Sequence, residues 1–231
     1  GCKECQFRMD SLSFKENAEY EAIVGNLKLD EKRKKWVTAY PFCQDPAKLI
    51  DNYRQARGCM AQMEKRLVKS KRLEEFNALI KDNVDRGVFR KLTEKEIKDY
   101  KGPINYISMV EAYKNGPHST TPVRVCMNSS MKQPPPSGLS LNDCLMKGPS
   151  ALADLYSVTL SLREHKVAFT KDISKFYQCV EADETAQHVR RVLWRNGDTA
   201  REPDIYVTTS VNFGDRPAGC IAIAAVRETA S

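Results

Sequence analysis

The spacing of apolar residues changes period part-way along this chain, so its core has to be assembled from both helices and strands. Between Met60 and Arg86, Phe76, Leu79, Ile80 and Val84 fall at i, i+3, i+4 and i+8, one stripe on a charged helix that Gly87 is suited to stop. From Pro122 to Asn128, Val123, Val125 and Met127 alternate with Arg124, Cys126 and Asn128. That is the period of a strand with one buried face and with Arg124 on the other.

Local signals extend the pattern in both directions. Thr93 and Glu96 have the spacing of a capping box opening a short helix, and Lys101-Gly102-Pro103 breaks the chain before an extended segment from Ile104 to about Val110. The stretch Gln133-Pro-Pro-Pro-Ser-Gly138 is a loop, too rigid and too poor in donors for a central strand. Ser150 is placed to cap a helix marked by Leu152, Leu155, Tyr156, Thr159 and Leu162, and a short apolar run, Val167-Ala-Phe-Thr170, reads as a buried strand ending at Lys171-Asp172. A hairpin is expected from Val189 to Arg195 and Ile205 to Phe213, followed by a last helix over Ala218 to Ala230. Strands and helices out of strict alternation predict an α+β fold. The first 58 residues, polar and anchored by Trp36, Tyr40, Pro41 and Phe42, look like a connecting segment.

Bulk properties narrow the classes. No apolar run approaches the roughly 20 residues of a membrane span, and the first thirty residues lack the apolar centre of a signal peptide, so no membrane role and an intracellular setting are expected. Eight cysteines are scattered through 231 residues, which favours reduced thiols over a disulfide framework. Cys2 and Cys5 have metal-type spacing, but a tetrahedral site needs two more ligands that the next stretch does not offer. The net charge of +7 favours a polyanionic partner, although a basic surface is also an ordinary solvated one.

Two groups of residues invite a chemical reading. Asp172, at the expected strand end and five residues before Tyr177, is a candidate metal carboxylate or an ordinary turn cap. Arg124 is able to hold a phosphate through its planar guanidinium or to serve as a surface ion-pair residue, and the glycines of Val211-Asn-Phe-Gly214-Asp-Arg-Pro-Ala-Gly219 allow a close backbone approach to a ligand.

Ten ordered segments together resemble the reverse transcriptase of BEL/Pao-type long-terminal-repeat retrotransposons. They are Lys35-Trp-Val-Thr-Ala-Tyr-Pro41, Met63-Glu-Lys-Arg-Leu67, Asp85-Arg-Gly-Val-Phe-Arg-Lys-Leu92, Tyr100-Lys-Gly-Pro-Ile-Asn-Tyr-Ile107, Thr121-Pro-Val-Arg-Val125, Ser140-Leu-Asn-Asp-Cys144, Gly148-Pro149, Asp172-Ile-Ser-Lys-Phe-Tyr177, Leu193-Trp-Arg195 and Phe213-Gly-Asp-Arg-Pro217. The resemblance covers nearly the whole chain. It implies a right-hand polymerase fold with fingers at 59–149 and the first part of the palm at 150–231. It also implies RNA-directed DNA polymerase chemistry with two Mg2+ ions in the complete enzyme, and an RNA or DNA template-primer with deoxynucleotides as partners.

Residue by residue, Asp172 matches the first metal-binding aspartate and Tyr177 the aromatic against the sugar of the incoming nucleotide. Arg124 matches the fingers arginine on the triphosphate, and Gly214 the glycine that lets backbone approach template and nucleotide. Asn128 stands where relatives often have Asp, and the loop at Pro134 to Gly138 is longer than usual. The family's Tyr-x-Asp-Asp hairpin does not occur in the sequence. The expectation is therefore a piece that stops before that hairpin, inactive alone, and placed in the cytoplasm or a virus-like particle. The alternative is a non-catalytic nucleic-acid-binding remnant of a decayed or host-adopted element.

Overall fold

A computed structural model describes residues 12–113 and 123–230. Cys2 and Cys5, and the start of the strand expected from Pro122, lie outside the described residues. The fold is α+β, with helices α1 (Phe14–Asn26), α2 (Tyr53–Lys69), α3 (Leu73–Asp85), α4 (Glu94–Asp99), α5 (Leu155–Arg163), α6 (Glu184–His188) and α7 (Ala218–Ala230). The strands are β1 (Leu27–Asp30), β2 (Lys35–Thr38), β3 (Phe89–Lys91), β4 (Ser108–Tyr113), β5 (Val123–Asn128), β6 (Val180–Ala182), β7 (Arg191–Trp194) and β8 (Asp204–Thr208).

The strands form three small sheets, ordered β1-β2-β6, β3-β8-β7 and β4-β5. All pairs are antiparallel except β2 with β6, where Val37 lies beside Glu181. Isolated bridges, Tyr106 to Arg191 and Glu181 to Ser210, knit neighbouring sheets together. The expected hairpin is β7 and β8, with Val192 opposite Tyr206.

The region 60–86 was expected to carry one helix and holds two. In α2, Ala56, Met60, Met63 and Leu67 are buried at helical spacing, and in α3 Phe76 and Ile80 are. Both helices end in the same way. In α3 the Gly87 N–H donates to the Val84 carbonyl and the Val88 N–H to Asn83, each at 2.9 Å, with Gly87 at φ +72°. In α2 the donors are Lys71 to Val68 (3.1 Å) and Arg72 to Leu67 (2.9 Å), with Lys71 in the left-handed region at φ +57°. A lysine there costs about 1 kcal/mol more than a glycine and leaves no mark in the sequence.

The capping box at Thr93 and Glu96 is formed, but α5 is capped by Asp154 rather than Ser150 and buries none of its residues. The run 167–170 is not a buried strand: Val167 is 81% exposed and Phe169 77%, and no described strand pairs with it. An apolar run becomes a buried strand only where neighbours cover both its faces.

The stretch read as a connection contributes to the body of the protein. Its β2 lies against β6, Ile23 and Tyr40 are buried, and one apolar cluster runs from Ile23 through Met63, Phe76 and Trp194 to Ala225.

Candidate functional site

Gly214 fixes the centre of the site. Its φ is +103°, and a Cβ there would lie 2.3 Å from the Met127 carbonyl oxygen of β5, so only glycine allows the turn after β8 to press against that strand. Phe213 beside it packs on Tyr177, ring centroids 4.3 Å apart and planes at 62°. Tyr177 sits in a single 3-10 turn, Phe176–Cys179, entered through Lys175 at φ +55°. Tyr177, Phe213, Val125 and Met127 enclose a cavity of about 50 Å3. The expected residues Tyr177 and Gly214 therefore meet the strand that carries Arg124. Arg124 itself lies opposite Ala112, exposed, and forms no hydrogen bond or ion pair with another described residue.

Beneath the glycine lies a buried charge network that sequence reasoning missed. The Asp215 carboxylate accepts from Ser129 Oγ (2.5 Å), from Arg190 Nη1 (3.1 Å) and from the Tyr40 hydroxyl. The remaining donors of Arg190 go to the carbonyls of Ala186 (2.9 Å), Ser210 (2.7 Å) and Thr208 (3.1 Å), and its guanidinium lies 4.5 Å from the Tyr40 ring centroid. Both side chains are fully enclosed. Burial first, and the Asp215 carboxylate next to it, push the Tyr40 hydroxyl well above its ordinary range, against the opposing pull of Arg190. Tyr40 thus stays a donor.

Asn142 holds the same turn from outside. Its Nδ2 donates to the Gly214 carbonyl at 2.8 Å and its Oδ1 accepts from the Arg216 N–H at 2.9 Å. Asp143 next to it closes the Ser140 cap and pairs with Lys132. Those contacts, led by the lysine, pull its carboxyl down to about 2. Tyr40, Asn142 and Asp215 each belong to one of the quoted segments, so that coincidence was the available signal. Arg190 and Ser129 lie outside them.

A second enclosed pair joins two more of those segments: Arg195 Nε and Nη2 donate to the Glu64 carboxylate at 3.1 and 2.8 Å. A third polar cluster involves His188, stacked on Tyr100 at 3.6 Å and accepting from Arg191. Burial, with the nearby Arg191 and Arg90 charges, lowers His188 to about 4. It is neutral at pH 7.

Asp172 is not brought into this constellation. It lies in an exposed segment outside any helix or strand and forms no hydrogen bond or ion pair with another described residue. Among the described residues no three His, Cys, Asp or Glu side chains converge as a metal-ligand set. A two-magnesium site therefore does not fit the residues described. No helix among them is long and apolar enough to cross a membrane.

No protein-family model matches the chain, and no curated protein matches it at a significant level.

Proposed function

We propose that this chain is the fingers and first palm part of a retrotransposon reverse transcriptase of the BEL/Pao type, and that an incoming deoxynucleotide is received around β5, by Arg124 on one side of the strand and by Tyr177 and Gly214 on the other. In this reading 59–149 are fingers and 150–231 the start of the palm. The partners are an RNA or DNA template-primer, and Mg2+ belongs to the complete enzyme.

The observation that carries the proposal is the meeting of three distant segments: Gly214 pressed on the Met127 carbonyl of β5, with the Tyr177 ring against Phe213. The roles follow from chemistry. Arg124 supplies for a triphosphate a guanidinium that no other described residue pairs with, and Tyr177 a ring edge for the sugar. Gly214 allows its turn to close on β5, which brings Phe213 and Tyr177 against that strand.

Calorimetric titration of the chain with a deoxynucleoside triphosphate tests this. Arg124→Ala should weaken binding roughly tenfold, the loss of one charge-assisted contact, without lowering the melting temperature. Tyr177→Ala should narrow the preference for deoxyribose over ribose. Affinity unchanged by Arg124→Ala would remove the triphosphate role.

A second reading, a nucleic-acid-binding remnant without catalysis, is favoured by the lack of converging carboxylates among the described residues. It requires polynucleotide binding without any response to Arg124→Ala or to added nucleotide.

A further inference from the structure

Away from those residues, an open cleft of about 730 Å3 lies between α2 and the loop joining β7 to β8. Tyr53, Arg54 and Arg57 line it from one face of the helix, and Arg195, Thr199 and Glu202 from the loop. Arg195 is already committed, since its donors go to the enclosed Glu64 carboxylate and, at 3.2 Å, to the Arg201 carbonyl. The other two arginines are differently placed. Arg57 donates to Glu202 at 2.7 Å, and the Tyr53 hydroxyl reaches the second oxygen of the same carboxylate at 3.3 Å. Side chains of that pair are 48% and 69% exposed, so solvent screens it and it contributes little. Arg54, one helical turn before Arg57, makes no hydrogen bond or ion pair with another described residue.

We propose that this cleft seats a backbone phosphate of a single-stranded polynucleotide between Arg54 and Arg57, the phosphate displacing Glu202 from Arg57. Displacement is easy because Glu202 sits in solvent at the end of a weak pair, whereas a phosphate accepts from both guanidinium groups at once. Glu202 acts as a stand-in anion that keeps Arg57 in place. Tyr53 becomes free of the carboxylate at the same moment. Its ring is held edge-on against Tyr106 at 5.5 Å and 80°, a fixed surface on which a neighbouring base stacks. A strand rather than a free anion is the occupant because the cleft pairs charge with an aromatic ring and lies on a chain of net charge +7. The inference rests on the reading that the chain handles nucleic acid, but it uses none of the residues proposed to receive the nucleotide.

Fluorescence anisotropy of a labelled single-stranded oligonucleotide of mixed sequence, titrated with the whole chain at several salt concentrations, tests it. Arg54→Ala and Arg57→Ala should each weaken binding roughly tenfold at low salt and flatten the logarithmic salt slope by about 0.7. Glu202→Gln should strengthen binding, an outcome that a purely structural role for the pair does not give. Gly58→Glu places a carboxylate in the cleft where an added Cβ meets nothing within 4 Å. It should abolish binding with the melting temperature held or raised, because glycine is a poor helix residue. Oligonucleotide binding that ignores all four variants overturns the cleft while leaving the nucleic-acid reading intact. No oligonucleotide binding at any salt overturns the cleft together with the polynucleotide part of that reading, and the nucleotide titration at Arg124 then decides the rest independently.

Discussion

Replacing Asp215 by Asn keeps the size of the side chain and removes its charge, which isolates the worth of the buried network under Gly214. Arg190 is fully enclosed, and Asp215 is its ion-pair partner. An enclosed guanidinium left without a counter-charge costs about 3–5 kcal/mol. Asn retains an acceptor oxygen for Tyr40, Ser129 or Arg190, which places the expected loss near the lower limit, about 3 kcal/mol. Set against a total stability of roughly 5–15 kcal/mol, that is a large fraction, and at about 2–4 °C per kcal/mol the melting temperature should fall by roughly 6–12 °C. Urea unfolding followed by the fluorescence of Trp194, buried against Phe76 at 5.0 Å, reads the change as a lower midpoint at constant slope. The matched control is Glu31→Gln, whose 2.7 Å pair with Lys34 stands in solvent at 70% and 76% exposure and should cost under about 1 kcal/mol. If Asp215→Asn falls within 1 kcal/mol of that control, the argument that Asp215 neutralises an enclosed Arg190 is refuted.

Gly214→Ala should cost about 2–3 kcal/mol by urea unfolding and also weaken nucleotide binding, because the added methyl group meets the Met127 carbonyl at a φ that suits glycine. Lys71→Gly should stabilise by about 0.5–1 kcal/mol in the same assay, relieving a left-handed lysine at the end of α2. His188 is lowered to about 4 from 6.5, so the unfolded chain binds its proton first as pH falls. Stability present in full above about pH 6.5 should decline towards pH 4 by up to roughly 3 kcal/mol, and a His188→Gln variant should lack that part of the pH profile. Primer extension with magnesium and all four nucleotides should yield no product from these 231 residues, since no carboxylate cluster is gathered around Asp172 among those described; robust synthesis would show that the active site has been misplaced.

Features with local causes were legible in the sequence. The Thr93–Glu96 box, the stop at Gly87 and the hairpin of β7 and β8 are each specified by a few neighbouring residues. The division between α2 and α3 was not, because Lys71 does there what glycine does at position 87. Burial of 167–170 was misjudged for a different reason: period and composition describe the run itself, and exposure is decided by what lies beside it. At the site, Tyr177 and Gly214 were named from the resemblance and do lie near one another. Tyr40 was read only as an apolar anchor, and Arg190 and Asp215 were not singled out, since a charge in a sequence reads as surface until its partner from 25 residues away, or 175, is seen to meet it.

The contrast between the two halves of the proposed site has a mechanistic consequence. Gly214 is held from below by Asp215 and from outside by Asn142, and Tyr177 is braced by Phe213, so two of the three residues assigned to nucleotide recognition are held in place, while Arg124 stands exposed. Asp172 has no such support from the described residues, and the apolar residues before it, Val167 and Phe169, stand in solvent. The proposed metal role would require Asp172 to be placed within about 0.5 Å, which an exposed segment without such contacts does not provide. A partner surface that covers Val167 and Phe169 would remove their apolar area from water and, in doing so, restrict the segment carrying Asp172. Covering that segment and restricting Asp172 would then be one event, driven by hydrophobic burial.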